Sequence, residues 1–241
     1  MTIREINQAE PFESDYFNNY YKDYRRKFDD LFESEKYFLK DFVYNNKTFY
    51  DVGCAVGGMY EILSSIKQDI IYHGVDIAKK MIDQAKHNYP GVDFNVVDAV
   101  KLPVADNSFD AVLSFGTTVH EQKWETLLTE LWRVAKNEIL FDIRFVKDLP
   151  TVSSLSVGHV LDGSGLKYPY VVINYQDFSD FLDNLSPKPA IKKIYGYWGS
   201  ANSAAVLPKE YSKICMSCVV LKKNSTEKDY SSTKINLPFN S

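Results

Sequence analysis

The sequence predicts a doubly wound α/β fold. Short apolar runs recur and reach an acid at or just past their ends, at Asp51, Asp76 and Asp98. The first run leads into a glycine-rich turn, Gly53-Cys54-Ala55-Val56-Gly57-Gly58, and amphipathic stretches separate the runs. Strands alternating with helices at this spacing give a mostly parallel sheet with helices on both faces.

The elements follow in order. Residues 1–47 precede the first strand. Phe28, Leu31, Phe32, Phe38, Leu39, Phe42 and Val43 recur at near-helical spacing, so two helices forming an N-terminal lid are expected. Tyr20 and Tyr24 are its candidates for contact with a substrate. The first strand is 48–52 and its helix 57–66. Ile70–Asp76 is a second strand, followed by a helix over 78–87. Val92–Val97 is a third, Phe109–Phe115 a fourth and Glu138–Phe145 a fifth. Gln122–Ala135 sets Trp124, Leu127, Leu128, Leu131 and Trp132 on one helical face. Residues 147–168 and 199–212 are glycine-containing insertions near the acceptor side. Ile191–Trp198 and Ile214–Leu221 are two further strands, the last expected to be antiparallel. From residue 223 on, Ser, Thr, Lys and Asn dominate, so a flexible tail is expected over 223–241. The main domain is therefore 48–222.

Two features of the first turns point to a ligand. Glycine lets the backbone turn sharply and approach a bound group closely, because no Cβ intervenes. Asp76 ends the second strand about 20 residues beyond Gly53, the place where an acid meets neighbouring ribose hydroxyls in nucleotide-binding sheets. The same acid would also serve as a helix N-cap.

Composition narrows the classes. The 241 residues carry a net charge of −4, which argues against a phosphate-tracking surface and a nucleic-acid partner. No run of about 18 apolar residues signals a membrane span. Three cysteines do not make a disulfide framework, so a cytoplasmic setting is expected. Cys215 and Cys218 form a lone C-x-x-C on a strand, where positions three apart face opposite sides. They read as core residues, and no metal is expected.

Asp51-Val52-Gly53-Cys54-Ala55-Val56-Gly57-Gly58 is similar to the first motif of the class I S-adenosylmethionine-dependent methyltransferases, acid-x-Gly-Cys-Gly-x-Gly-Gly. Ala55 replaces the middle glycine. Gly74-Val75-Asp76-Ile77-Ala78-Lys79-Lys80-Met81 resembles the second motif, and Asp98-Ala99 the position that reads the adenine edge. Leu102-Pro103 with Asn107–Asp110 resembles the loop entering the fourth strand. The likeness spans roughly 45–145 and is greatest to the small-molecule branch called type 11 or type 25. It implies a Rossmann-like sheet, S-adenosyl-L-methionine as cofactor and S-adenosyl-L-homocysteine as product. It implies cofactor contacts from Asp51, Gly53, Cys54, Ala55, Gly57, Asp76, Ile77, Met81, Asp98, Ala99, Ser114 and Phe115. The expected activity is O-, N- or C-methylation of a small molecule, such as a sugar or natural-product intermediate. The alternatives are an RNA or protein methyltransferase, or a cofactor-binding protein without catalysis. The G-x-G-x-x-G of dinucleotide enzymes is absent, as is an Asn/Asp-Pro-Pro-aromatic segment after the fourth strand, where Ser114-Phe115-Gly116-Thr117 stands.

Two residues are candidates for the acceptor side. His120 follows the fourth strand, and an imidazole titrating near neutrality could take a proton from a hydroxyl, with an acid limb at about pH 6–7. Its alternative role is to pack at the next helix start, beside Glu121. Arg144 lies at the polar end of the fifth strand, suited to a carboxylate or phosphate on the acceptor, or to an ion pair with Asp142.

Overall fold

The computed structural model describes residues 9–14, 20–21, 25–161, 166–201, 203–224 and 233–239. Its strands are β1 (Thr48–Val52), β2 (Ile71–Asp76), β3 (Asp93–Val96), β4 (Phe109–Ser114), β5 (Ala135–Val146), β6 (His159–Leu161), β7 (Lys167–Pro169), β8 (Ile173–Asn174), β9 (Ile191–Gly199), β10 (Ala205–Val206), β11 (Ile214–Lys222) and β12 (Thr233–Asn236). Its α-helices are α1 (Glu33–Asn45), α2 (Gly58–Ile66), α3 (Lys79–Asn88), α4 (Trp124–Val134) and α5 (Tyr175–Asn184).

The large sheet runs β12-β9-β11-β5-β4-β1-β2-β3, with β8 paired to the end of β5. Strands β1 to β5 are parallel, and β11 is antiparallel to both of its neighbours. This is the doubly wound, mostly parallel architecture the sequence predicts.

Side-chain alternation along β1 sorts the core. Phe49 packs with Phe38, Leu39, Phe42 and Val43 of α1 and with Met59, Ile62 and Leu63 of α2 on one face. Tyr50 and Val52 face α4 and α5, through Leu127, Leu131, Trp132, Phe178 and Leu182. Cys218 lies in the first cluster and Cys215 in the second, as alternation on β11 requires.

The expected N-terminal lid divides. Residues 33–45 pack on the sheet, as a helical lid on its edge would, because Phe38, Leu39, Phe42 and Val43 form a buried stripe. The start of α1 is set by Glu35, whose carboxylate accepts from the Phe32 amide at 2.9 Å. Residues 9–14 reach the site by another route. The Glu13 carboxylate accepts from the amides of Lys79 and Lys80, at 2.6 and 3.0 Å, and so caps α3 from outside its own helix.

The expected flexible tail is also corrected. Within it, β12 pairs in parallel with β9, and Leu237 is buried against the α4/α5 side. Its polar residues hid a four-residue edge strand, since the free edge of β9 supplies the missing partner. The two insertions join each other: β6, from the first, pairs with β7 on one side and with β10, from the second, on the other. This three-stranded sheet packs over Val56, Ala78, Met81 and Val119 at the C-terminal ends of the large sheet's strands.

Candidate functional site

The chain runs outward from β1 to β2 and β3, then returns to β4 on the other side of β1. A crevice opens at the carboxyl ends of the strands where this reversal occurs. The pocket found there is lined by Gly53, Ala55, Asp76, Ile77, Met81, Val97, Asp98, Ala99, Phe115, Gly116 and Thr117 on one side. It continues to Pro11, Phe12, Tyr21, His120, Glu121, Gln122, Leu155, Lys167, Tyr168 and Pro169.

The glycine turn is built for close approach. Gly53 has φ +84°, and a Cβ there would stand 1.9 Å from Thr117 Oγ1. The Gly53 and Cys54 amides donate to the Val75 carbonyl at 2.8 and 2.9 Å, which pins the turn to β2. Ala55 also sits in the left-handed region, at φ 47°. An L-residue there costs about 1–2 kcal/mol, so the missing middle glycine leaves local strain in the wall.

Asp76 caps the start of the next helix and lines the pocket. Its Oδ1 accepts from the Ala78 amide at 2.9 Å and its Oδ2 from the Ala55 amide at 3.0 Å, while the carboxylate lines the pocket. Each oxygen keeps a lone pair for a ligand hydroxyl. Burial raises its pKa against the backbone amides of Ala78, Ala55 and Ile77, which lower it.

Four of the expected cofactor residues lie behind the wall. Asp51 points to the α1–α2 side and accepts from the Tyr72 hydroxyl; burial pushes its pKa up to about 7. The Cys54 thiol is buried in the same cluster. Gly57 starts α2 at φ +84°, where a Cβ would meet the rings of Phe94 and Tyr89 at 2.9 and 3.0 Å. Ser114 donates to the Val52 carbonyl at 2.8 Å and ties β4 to β1. These residues shape the turn without lining it.

The acceptor-side candidates fare differently. Tyr20 is 45% exposed and packs edge-on to Tyr21, which lines the pocket in its place. Tyr24 lies outside the described residues. Arg144 makes the ion pair that was the alternative reading: its Nη1 donates to Asp142 Oδ2 at 2.9 Å, and it is 6% exposed. It is not among the pocket's lining residues, because alternation on β5 turns both side chains toward the α1 face. Asp142 Oδ1 in turn accepts from the Gly116 amide at 2.7 Å, so this pair holds the pocket wall from behind. Arg25 and Glu35 complete the buried group through a 2.9 Å ion pair.

His120 does reach the pocket. Its Nδ1 lies 2.9 Å from the Pro169 carbonyl, which sets the ring with Nδ1–H donating and Nε2 carrying the lone pair. The rings of Tyr168, Phe12 and Tyr170 stand 5.0, 5.9 and 6.3 Å from it. Burial drives its pKa down to about 4, so the imidazole is neutral near pH 7. The lining from residues 11–12, 155 and 167–169 carries no local motif, and no signal in the sequence marked it.

Three acids and one lysine line the pocket: Asp76, Asp98, Glu121 and Lys167. A cationic ligand suits this balance. Among the described residues no three His, Cys, Asp or Glu side chains gather as a metal site.

Fold and site together define a nucleotide-type crevice in a doubly wound sheet. Residues 50–141 match the model of the methyltransferase domain family. Over that stretch the chain is similar to methyltransferase domains. It is similar to putative methyltransferase 235L of Invertebrate iridescent virus 6, 37% identical over 93 residues, which is 38% of this chain and 35% of that protein. It is also similar to a fatty-acid O-methyltransferase of Mycolicibacterium smegmatis, 33% identical over 92 residues, 37% of this chain and 34% of that one. The matches thus span about a third of those relatives' own length. Among solved structures, phosphoethanolamine N-methyltransferase 2 of Haemonchus contortus, in complex with S-adenosyl-L-methionine, superposes with a TM-score of 0.61 over 91% of this chain and 60% of that one, at 14% identity. The cyclase SpnF superposes with a TM-score of 0.51 at 16% identity, covering 78% of this chain and 81% of that one. These last two are likenesses of fold.

Proposed function

We propose that this chain is a methyltransferase that uses S-adenosyl-L-methionine to methylate a small molecule. The observation that carries the reading is the crevice itself. The open turn at Gly53, the carboxylate of Asp76 and the Ile77/Asp98/Ala99 wall line one continuous pocket that extends to a second chamber around His120. These residues fit the cofactor. Asp76 has lone pairs left for two ribose hydroxyls, Ile77 and Val97 offer apolar contact to a purine, and the acids suit a cation. The cofactor supplies an activated methyl group, and the protein's share is to align an acceptor and exclude water. That the cyclase SpnF shares this fold is a reason to demand turnover rather than rest on likeness.

Titration of the purified chain with S-adenosylhomocysteine by calorimetry tests the cofactor half. Asp76→Ala is expected to weaken binding about ten- to hundredfold, the loss of charge-assisted hydrogen bonds of about 1.5–3 kcal/mol. Unchanged affinity would remove the ribose role.

His120 is the proposed base for a hydroxyl acceptor, through Nε2. The charged groups near its ring are Asp142 and Arg144 on β5, of opposite sign. Tyr168 and Tyr170 face it from the roof. Burial outweighs them, so the neutral, proton-accepting form persists down to a pKa of about 4. Activity toward a hydroxyl acceptor should therefore be level from about pH 8 to 5 and fall only as pH drops through about 4, rather than at the pH 6–7 expected from an ordinary imidazole. A limb at pH 6–7 in kcat that His120→Gln does not remove would show that another group is the base.

A further inference from the structure

The chamber beyond Gly116 differs chemically from the cofactor side. Its walls are Phe12, Tyr21, Leu155 and Tyr168, with His120 at its inner end and Lys167 at its exposed rim. Of the pocket's three acids, Asp76 ends β2 and Asp98 follows β3, while Glu121 adjoins His120 and lies close enough to Asp98 to feel its charge. The rings of Tyr168 and Phe12 meet that of His120 at 75° and 51°, and they pack against each other at 5.5 Å. Such tilted rings receive a flat apolar body edge-on or offset. Among the described residues His120 Nε2 has no partner, while Nδ1–H is committed to Pro169.

We propose that this chamber takes a flat, apolar hydroxyl compound, uncharged or bearing an anionic group at its outer end, with the hydroxyl at His120 Nε2 and the anionic group at Lys167. The inference rests on the methyltransferase reading and deepens it by naming the acceptor class. Two features favour a hydroxyl or anionic group over an ammonium at the two ends of this chamber. Among the described residues the charged side chain at the outer rim is Lys167, and the burial that keeps His120 uncharged acts equally against a second cation beside it. In the transfer, a hydroxyl lone pair forms the new O–CH3 bond. The S–CH3 bond breaks with its electron pair left on sulfur as a neutral thioether. The hydroxyl proton passes to His120 Nε2 and from there to solvent.

Three probes of one shape test this: 2-naphthol, 6-hydroxy-2-naphthoate and 2-(aminomethyl)naphthalene. Binding is measured by calorimetry on the full chain saturated with S-adenosylhomocysteine, and turnover by S-adenosylhomocysteine release from S-adenosylmethionine. Both naphthols should bind and turn over, with kcat/KM at least about tenfold above that of the amine, the effect of about 1.4 kcal/mol of discrimination. Lys167→Met should remove the advantage of the naphthoate over 2-naphthol, read as the ratio of their kcat/KM values. His120→Gln should cut naphthol turnover about a hundredfold or more while its binding stays within about threefold. Preference for the amine overturns the proposal. So does failure of both naphthols to bind a chain that does bind S-adenosylhomocysteine. Failure to bind S-adenosylhomocysteine at all sinks the methyltransferase reading instead.

Discussion

Arg144→Ala will destabilise the fold by about 3–5 kcal/mol, as loss of one partner from a buried ion pair does. The variant leaves the Asp142 carboxylate, 1% exposed, with the Gly116 amide as its remaining hydrogen-bond donor. Asp142 lies in the field of a second buried cation, Arg25, but Arg25 spends its own hydrogen bond on Glu35. The guanidinium also packs on the Phe32 ring, 5.5 Å from its centroid, and that contact is lost as well. Urea unfolding measures the effect. The double variant Arg144→Met with Asp142→Leu should lose less than Arg144→Ala alone, because no uncompensated charge remains. If Arg144→Ala unfolds within about 1 kcal/mol of the parent while the acceptor KM rises, the residue serves a ligand and the structural account fails.

Gly53→Ala will cost about 2–5 kcal/mol and abolish measurable cofactor binding. Two effects add. A left-handed residue with a Cβ costs about 1–2 kcal/mol. Overpacking against Thr117 Oγ1, which the new methyl would overlap at 1.9 Å, costs about 1–3 more. Thr117 cannot turn aside freely, since its hydroxyl donates to the Val52 carbonyl at 3.1 Å. A double-mutant cycle with Thr117→Ala separates the two effects. The pair should recover the overpacking share of about 1–3 kcal/mol and keep the backbone share. Additivity of the two variants would mean that the contact is not what makes this glycine necessary.

Ala55 shows why a motif match and a geometry are different statements. As a sequence feature it is a mild departure from a glycine pattern. In the fold it holds a left-handed φ of 47°, and its amide is tied to Asp76 at 3.0 Å. The strain is borne because that hydrogen bond and the neighbouring Gly53–Val75 contact over-determine the turn. Asp51, Cys54, Gly57 and Ser114 make the same point from the other side. Their motif positions were legible, but the direction of each side chain depends on strand alternation and on what packs beneath the turn.

What the sequence by itself determined is the local half of this protein. Strand, glycine turn and helix, then strand and acid, are set by residues within about 30 positions of one another, the span of one βαβ unit. Hence the sheet and its switch point were legible in the sequence, and eight of the twelve residues singled out there line the crevice. Only the tertiary structure decided the chamber around His120. Phe12 and Tyr21 arrive from the N-terminal segment, His120 from the end of β4, and Leu155, Lys167 and Tyr168 from an insertion whose strand β6 also pairs with β10 of the second insertion. These contacts join residues far apart in the chain, 48 positions between His120 and Tyr168 and 156 between Phe12 and Tyr168, where no period or spacing carries information. The same holds for β12, whose polar sequence becomes a strand because β9 offers an unpaired edge, and for Arg144, whose partner was settled by the face of β5 on which it and Asp142 fall.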